Sequence, residues 1–189
     1  MEERQGRVEV IAGPMFAGKT EELLRRVRRA AIAGQRVLVI SHAQDTRAGA
    51  GRIVSHAGLD APSRAVGSAE DIPGVVEGEE LDIVAIDEAQ FFGPSLVAVV
   101  HDLAASGLHV IVAGLDVTFD GEPFEPLPTL MALAERVDKL TAICSVCGEE
   151  AVFHVRVAAR SADAEALVAA HVGGTESYQA RCRRHVAAT

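Results

Sequence analysis

The sequence GPMFAGKT at residues 13–20 follows an apolar run at residues 8–12 and precedes a helical pattern. It fits G-x-x-x-x-G-K-[ST], in which the glycines let the backbone wrap phosphates. In this pattern Lys19 reaches the β and γ oxygens of a triphosphate, and the Thr20 hydroxyl holds Mg²⁺. The alternative is a chance match in a glycine-rich turn. The flanking strand and helix favour a nucleoside triphosphate site formed by Gly13, Pro14, Met15, Phe16, Ala17, Gly18, Lys19 and Thr20.

The segments after this loop alternate between helix and strand patterns. Residues 20–34 predict an amphipathic helix with an apolar face of Leu23, Leu24, Val27, Ala30 and Ala31 and a solvated face of Arg25, Arg26, Arg28 and Arg29. Buried strands are predicted at 36–41, 81–86 and 108–113, with a helix near 94–105. The alternation predicts an α/β fold of the P-loop (RecA-like) kind, a mostly parallel sheet flanked by helices. Residues 43–67, rich in Gly, Ala and Ser, predict a long loop.

The composition limits the classes of function. The chain has 189 residues, a formal charge of −9 and 49% hydrophobic residues. This length suits one compact domain with a small appendage and leaves no room for two motor-type domains. The acidic charge argues against a large duplex-DNA footprint, so we expect no nucleic-acid partner. No apolar run approaches the roughly 20 residues of a membrane span, so we expect a soluble, cytoplasmic protein without a membrane partner.

A second acidic motif ends the predicted strand in LDIVAIDEAQFF, residues 81–92. Asp87 is placed to orient Mg²⁺ beside the phosphate loop, and Glu88 is placed to act as a base toward either a water or a substrate hydroxyl. The residues predicted to line the triphosphate site here are Asp87, Glu88, Ala89 and Gln90. Two alternatives remain: D-E-A-Q is also typical of helicase motors, and the pair also fits an ordinary exposed acidic turn.

All three cysteines fall after residue 140 in a pattern typical of a metal site. The spacing C-x-x-C, then 34 residues, then C-x-x-H supplies three thiolates and one imidazole, the set that a structural Zn²⁺ prefers. The predicted ligands are Cys144, Cys147, Cys182 and His185. Unconnected buried thiols are the alternative. The change of pattern near Thr141 predicts two domains, a nucleotide-binding domain at 1–140 and a zinc-binding domain at 141–189.

The segment HVGGTESYQARC at residues 171–182 ends at the predicted zinc ligand Cys182. A loop anchored in this way can present backbone amides and carbonyls to a flat polar ligand, with Tyr178 as one wall of a pocket. The alternative is a turn with Tyr178 packed beneath it.

Seven motifs in order resemble the zinc-containing thymidine kinases of bacteria and animal cytosol: GPMFAGKT, DTR at 45–47, DEAQFF, GLDVTFDGEPF, C-x-x-C, GGTESY and C-x-x-H. The resemblance covers nearly the whole chain. It implies transfer of the γ-phosphoryl of ATP to the 5′-hydroxyl of thymidine or deoxyuridine. It also implies Mg²⁺ held at Thr20 and Asp87, a structural Zn²⁺, and Glu88 as the catalytic base. Ala17, Ala89 and His185 depart from the commonest family residues without removing a catalytic group.

The resemblance also implies a nucleoside site. Its apolar residues are Phe91, Leu115, Phe119 and Phe124, with Met15 near the thymine methyl. A lasso loop reads the base edge through Val172, Gly173, Gly174, Thr175 and Tyr178. Asp45 and Arg47 match a stretch near the sugar and phosphates. Family members are commonly homotetramers, and thymidine triphosphate is the expected feedback inhibitor.

Two other classes of function compete with this interpretation. A nucleic-acid-dependent ATPase would explain only residues 13–20 and 87–90, and it predicts ATP turnover that ignores nucleosides. A non-catalytic zinc adaptor would explain only the cysteines, and it predicts no ATP binding. The kinase interpretation leaves the least of the sequence unexplained.

Overall fold

The computed structural model describes residues 5–44, 52–54, 58, 60–157 and 177–186. The helices are α1 Lys19–Ile32, α2 Ile72–Val76, α3 Leu96–Ala105 and α4 Leu127–Leu133, and short 3₁₀ turns lie at Ala69–Asp71 and Ala89–Phe92. The first eight strands are β1 Arg7–Gly13, β2 Val37–His42, β3 Arg52–Val54, β4 Asp60–Pro62, β5 Arg64–Val66, β6 Ile83–Ile86, β7 His109–Leu115 and β8 Arg136–Lys139. The last four are β9 Ala142–Ile143, β10 Glu150–Ala151, β11 Phe153–Arg156 and β12 Tyr178–Arg181.

Six parallel strands form the central sheet in the order β5-β2-β6-β7-β1-β8. The α/β prediction is therefore confirmed. Gly13 at the end of β1 pairs with Leu115 at the end of β7, and Ile86 at the end of β6 pairs with Val112. Because the strands are parallel, the segments that follow β1, β6 and β7 leave the sheet at one edge, where ligands bind in open α/β sheets.

An apolar cluster covers each face of this sheet. Helices α2, α3 and α4 bury Ile72, Leu96 and Leu127 on one face. Helix α1 buries Leu23, Leu24, Val27 and Ala30 against Ile11 and Ile111 on the other. The fully buried strands therefore read as continuous apolar runs, as expected of a parallel sheet.

Two details of the α1 prediction are wrong. Ala31 is exposed, because the buried stripe ends at Ala30. Arg26 is not on a solvated face: its guanidinium donates hydrogen bonds to Glu9, Glu22 and Asp138 at 2.7–2.9 Å. Arg26 follows the edge of the helix toward β1 and β8, where acidic side chains replace water.

The prediction of a long loop over residues 43–67 is also wrong in part. β3 and β4 pair with each other in antiparallel fashion, and β5 adds a parallel edge strand to β2 with Ile40 opposite Arg64. Ile53 is buried in the cluster beneath α1. These strands are three residues long, too short for a period-2 pattern to stand out in the sequence.

The C-terminal part consists of short strands, as the sequence indicates. β9 pairs with β10 and β11 pairs with β12, both antiparallel. A small buried cluster of Ala142, Cys144, Ala151, Ala180 and Cys182 lies between them, and Phe16 and Ala17 of the phosphate loop contact it. Among the helices described, none has both the length and the apolar character needed to span a membrane.

Candidate active site

The phosphate loop leaves β1 at Gly13 and enters α1 through Gly18. Gly13 has φ 154°, and a Cβ there would lie 2.6 Å from the carbonyl oxygen of Leu140, so backbone and space both demand glycine. Gly18 has φ 81° and stands at the N-cap of α1. The first amides of α1 therefore face the loop, and a helix N-terminus of this kind attracts phosphate.

Lys19 and Thr20 are held by neighbours at the loop. Lys19 Nζ donates a hydrogen bond to the Pro14 carbonyl oxygen at 2.8 Å, which keeps the ammonium over the loop. Thr20 Oγ1 donates to Asp87 Oδ2 at 3.0 Å, although 67 residues separate the two in sequence. The structure thus brings the two predicted Mg²⁺ ligands together.

Asp87 and Glu88 follow β6, as the sequence indicates. Asp87 N donates to Ile40 O at 2.9 Å, which extends the pairing with β2 by one residue and fixes the strand end. Glu88 then turns into the left-handed region with φ 51° and ψ 44°. Both carboxylates are buried, at 3% and 9% exposure. A buried acidic pair beside a phosphate loop is unlike the exposed acidic turn that the sequence left open.

Gln90 is buried and uses both ends of its amide. Nε2 donates to Glu88 Oε2 at 2.6 Å, and Oε1 accepts a hydrogen bond from Leu115 N at 3.0 Å. It therefore joins the end of β6 to the end of β7.

An apolar wall lies beside the phosphate loop. Met15, Leu115 and Tyr178 form a buried cluster, and Phe16, Phe119 and Phe124 are partly buried against it. These residues come from three widely separated parts of the chain. Phe119 and Phe124 lie on a turn after β7 that is closed by Phe124 N donating to Asp116 O at 3.1 Å and by a bridge between Val117 and Pro123. Phe91 was predicted in the same pocket. The structure places its ring beside His42, with 5.9 Å between the two ring centres.

Tyr178 opens β12 and completes this wall. Its ring makes an edge contact with His154 at 5.8 Å and a tilted contact with Phe119 at 6.4 Å. Its buried hydroxyl has no hydrogen-bond partner among the described residues. Burial raises the pKa of the Tyr178 phenol, with Arg156 opposing the shift. The tyrosine therefore contributes a neutral ring and an O–H group to the pocket.

The four predicted zinc ligands come together in the C-terminal part. Their ligand atoms all lie within 4.8 Å of one another. Cys147 Sγ is 3.7 Å from Cys182 Sγ, and Cys144 Sγ is 3.7 Å from His185 Nδ1. A tetrahedral Zn²⁺ with bonds of about 2.3 Å to sulfur and about 2.0 Å to nitrogen separates its ligands by roughly 3.5–3.8 Å. The donor set and its spacing therefore fit a closed, four-ligand zinc site.

The surroundings of Cys144 and Cys147 shift the pKa values of the two thiols in opposite directions. Burial opposes the charged form of Cys144, yet the backbone N–H groups of Cys182, Val146 and Cys147 outweigh it and lower the Cys144 pKa to about 5. The Glu149 N–H favours ionisation of Cys147, but burial and the neighbouring sulfurs prevail and raise its pKa. Because three sulfurs share one small space, a cation is the natural partner for their combined charge.

Some predicted site residues lie outside the described part of the chain. These are Asp45, Arg47, Val172, Gly173, Gly174 and Thr175. Of the predicted lasso segment, therefore, residues 177 and 178 are described and residues 172–176 are not.

One ion pair beside the wall was not predicted. Lys139 Nζ lies 2.7 Å from Asp116 Oδ2, where β8 ends and the turn after β7 begins. Lys139 is one of only two lysines in the chain, the other being Lys19. That rarity is the sequence feature that could have drawn attention to Lys139. Buried His154 behind Tyr178 carried no comparable signal in the sequence.

A sequence model of the thymidine kinase family matches residues 6–186, almost the entire chain. The chain belongs to the thymidine kinase family. A curated thymidine kinase of Deinococcus deserti is 48% identical over 95% of this chain and 94% of its own length. One from Halobacterium salinarum is 49% identical over 94% of this chain and 92% of its own. One from Deinococcus radiodurans is 47% identical over 93% of this chain and 87% of its own.

Proposed function

We propose that this chain is an ATP-dependent thymidine kinase. It transfers the γ-phosphoryl of ATP to the 5′-hydroxyl of thymidine or deoxyuridine and yields the nucleoside monophosphate and ADP. The observation that carries the proposal is the meeting of the phosphate loop, the Asp87–Glu88 pair and the apolar wall at one edge of the sheet. Membership of the thymidine kinase family supports the same reaction.

The donor site is assigned to residues 13–20 and 87–90. Loop amides and the Lys19 ammonium neutralise the triphosphate, and Thr20 with Asp87 would hold Mg²⁺. The support for this pair is the 3.0 Å hydrogen bond from Thr20 Oγ1, at the start of α1, to Asp87 Oδ2, directly after β6. The ion, when bound, supplies charge neutralisation at the phosphates; phosphoryl transfer needs little covalent help beyond such positioning.

Glu88 is assigned as the base that accepts the 5′-hydroxyl proton. Its support is its place directly after Asp87, buried at the strand ends beside Leu115 and Gln90. A carboxylate held in a water-poor site orients the hydroxyl and removes its proton as the phosphoryl group transfers.

The apolar wall is assigned to the nucleoside base. Met15 and Leu115 offer apolar contacts to a methyl group, and Phe119, Phe124 and Tyr178 offer aromatic surface. One methyl in such a pocket is worth about 1–3 kcal/mol, so we expect a moderate preference for thymidine over deoxyuridine. Phe91 and residues 172–175 remain predicted parts of this pocket.

We further propose a structural zinc at Cys144, Cys147, Cys182 and His185. All four tetrahedral positions would be filled by protein, which leaves no open position for catalysis. The distinct clusters of the sheet and of the C-terminal part support two domains, 1–140 and 141–189. A homotetramer and inhibition by thymidine triphosphate are further expectations from the family resemblance.

The experiment is to assay ADP and thymidine monophosphate from Mg·ATP, with and without thymidine, for the wild type and Glu88→Gln. We expect monophosphate from the wild type and a fall in kcat of roughly 10²- to 10⁴-fold in the variant, with its melting temperature little changed. ADP release that ignores thymidine and rises with RNA or DNA would contradict the proposal and favour the motor-type ATPase.

A further inference from the structure

Glu88 is held in an unusual backbone conformation. With φ 51° and ψ 44° it is one of two non-glycine residues of the described chain at positive φ, the other being Phe16 of the phosphate loop. The left-handed region is sterically unfavourable for a residue with a Cβ. Such a conformation persists where surrounding contacts hold it, and it directs the Glu88 carboxylate away from the direction of β6.

The contact that holds the Glu88 carboxylate comes from Gln90. Its Nε2 donates to Glu88 Oε2 at 2.6 Å while its Oε1 accepts from Leu115 N at 3.0 Å. These two partners fix the orientation of the amide. The Leu115 N–H must face the amide oxygen, and the Glu88 carboxylate must face the amide NH₂ group. Gln90 is 4% exposed, so water does not compete for either bond.

The opposite strand is shaped to admit this amide. A Cβ at Gly114 would lie 2.8 Å from Gln90 Oε1, 2.8 Å from Leu127 Cδ2 and 3.2 Å from Ala89 N. Gly114 lies within β7, so it needs no positive φ. Glycine is therefore required here for space, and the Gln90 amide shares that space with the Leu127 side chain.

The same amide also reaches the apolar wall. Leu115 donates its backbone N–H to Gln90 and places its side chain with Met15 and Tyr178. A single buried side chain thus joins the Glu88 carboxylate to the backbone of a residue that lines the wall.

We propose that Gln90 is a positioning residue. It holds the Glu88 carboxylate at a fixed position relative to the apolar wall, and Gly114 provides space for the Gln90 amide. This inference rests on the proposed kinase reaction, in which Glu88 receives a proton from the nucleoside 5′-hydroxyl. Misplacement of a reacting group by about 1 Å costs on the order of 10²-fold in rate. Loss of the Gln90 contacts therefore acts mainly on kcat.

Two substitutions separate the two halves of the amide. Gln90→Glu keeps an oxygen for Leu115 N but sets a carboxylate against Glu88, whereas Gln90→Leu removes both contacts at similar volume. We expect kcat to fall roughly 10- to 100-fold in both. The KM for thymidine stays within about threefold of wild type in Gln90→Glu and rises further in Gln90→Leu.

The exchange variant Glu88→Gln/Gln90→Glu is the structural control. It retains one amide facing one carboxylate, so its melting temperature stays close to that of the wild type. Its kcat stays as low as that of Glu88→Gln, because the carboxylate is at the wrong position. Recovered activity in the exchange variant would overturn the assignment of separate roles to the two residues.

Gly114→Ala tests the space for the amide. Its added methyl meets both the Gln90 amide and the Leu127 side chain. We expect the Leu127 contact to lower the melting temperature in both backgrounds, and kcat to fall about tenfold in the wild-type background but by less than about threefold in Gln90→Ala. Gly74→Ala is the matched control, because a Cβ at Gly74 meets no atom within 4 Å. An equal fall in both backgrounds would show that Gly114 acts independently of Gln90.

The wild-type assay separates failure of this inference from failure of the proposed function. If the wild type makes no thymidine monophosphate, the kinase assignment fails first and the inference with it. If the wild type makes it and folded Gln90→Glu and Gln90→Leu keep kcat within about threefold, the positioning role is overturned while the kinase stands. Should Gln90→Leu not fold, Gln90→Glu and Gly114→Ala decide the outcome.

Discussion

The sheet region, residues 5–140, and the Cys/His region, residues 142–157 and 177–186, bury very different side chains. Long aliphatic residues such as Ile11, Leu24 and Leu96 fill both faces of the sheet. The buried cluster of the Cys/His region consists of alanine and cysteine. Since apolar burial contributes about 25 cal/mol per Å², small side chains stabilise a fold only weakly. The first region is held by its core, and we expect the second to depend on the proposed zinc.

This difference divides the proposed site in the same way. The phosphate-binding residues, including Lys19 and Asp87, stand on the sheet region. Tyr178, however, opens β12, four residues before the zinc ligand Cys182. We therefore expect donor binding to depend mostly on the sheet region and nucleoside binding to depend on both regions.

Removal of zinc gives the largest expected effect. Structural Zn²⁺ contributes about 10–16 kcal/mol of apparent binding energy in small zinc domains, so chelation unfolds the Cys/His region. We expect thymidine affinity to be lost, because Tyr178 leaves the wall. ATP affinity falls much less, because the phosphate loop contacts that region through the apolar side chains of Met15, Phe16 and Ala17, whereas Lys19 and Thr20 are held within the sheet region. Titration of each ligand by calorimetry before and after chelation measures the two effects.

Cys147→Ser reproduces this effect without a chelator, and Val146→Ala is its matched control. Val146 is the exposed neighbour of Cys147, at 56% exposure, and its side chain carries no metal-binding atom. We expect Cys147→Ser to bind thymidine poorly and Val146→Ala to bind it normally. Unchanged thymidine affinity after zinc removal would contradict the dependence of the nucleoside site on this region.

The sequence predicts best those features whose partners lie close together in the chain. GPMFAGKT encodes its own loop, since Gly13 and Gly18 stand at the positive-φ positions. The cysteine spacing likewise predicts a metal cluster, because the donor atoms are few and chemically distinctive. The burial of Arg26 was missed, because it depends on Asp138, which is 112 residues away. The position of the Gln90 amide depends similarly on a hydrogen bond from Leu115 N, and no local sequence pattern connects these two residues.

Arg26→Met tests whether the sheet region is held by apolar packing alone. Its guanidinium side chain is 9% exposed and ion-paired with Glu9, Glu22 and Asp138. Methionine keeps the stem but leaves three carboxylates without their shared cation, so we expect a loss of about 3 kcal/mol in the free energy of unfolding. Urea denaturation measures it.

Arg25→Met is the control on the same helix. Arg25 pairs with Glu22 alone among the described residues, and its side chain is 55% exposed. We expect a much smaller loss than for Arg26→Met, because solvent screens an exposed ion pair. If both substitutions lower the free energy of unfolding by the same small amount, the burial of Arg26 adds nothing to it. The sheet region would then be stabilised by apolar packing alone.

Glu22→Gln gives a smaller expected effect than Arg26→Met and adds a dependence on pH. Hydrogen bonds from Arg25, followed by those from Arg26, prevail over burial and lower the Glu22 pKa from 4.5 to about 2. A lowered carboxyl pKa stabilises the fold fully above the unfolded value, and this contribution is lost as pH falls toward the folded value. The wild type should therefore exceed Glu22→Gln by about 1 kcal/mol at neutral pH, a figure reduced by solvent screening.

The difference between wild type and Glu22→Gln should shrink between about pH 4.5 and pH 2 and then vanish. Glu21→Gln serves as the control, since Glu21 is an exposed carboxylate in the same first turn of α1. Both glutamates share the helix dipole, so the dipole alone would give the two variants the same pH profile. Identical profiles would therefore assign the effect to the helix terminus, and a steeper acid loss for Glu22 alone would assign it to the arginine pair.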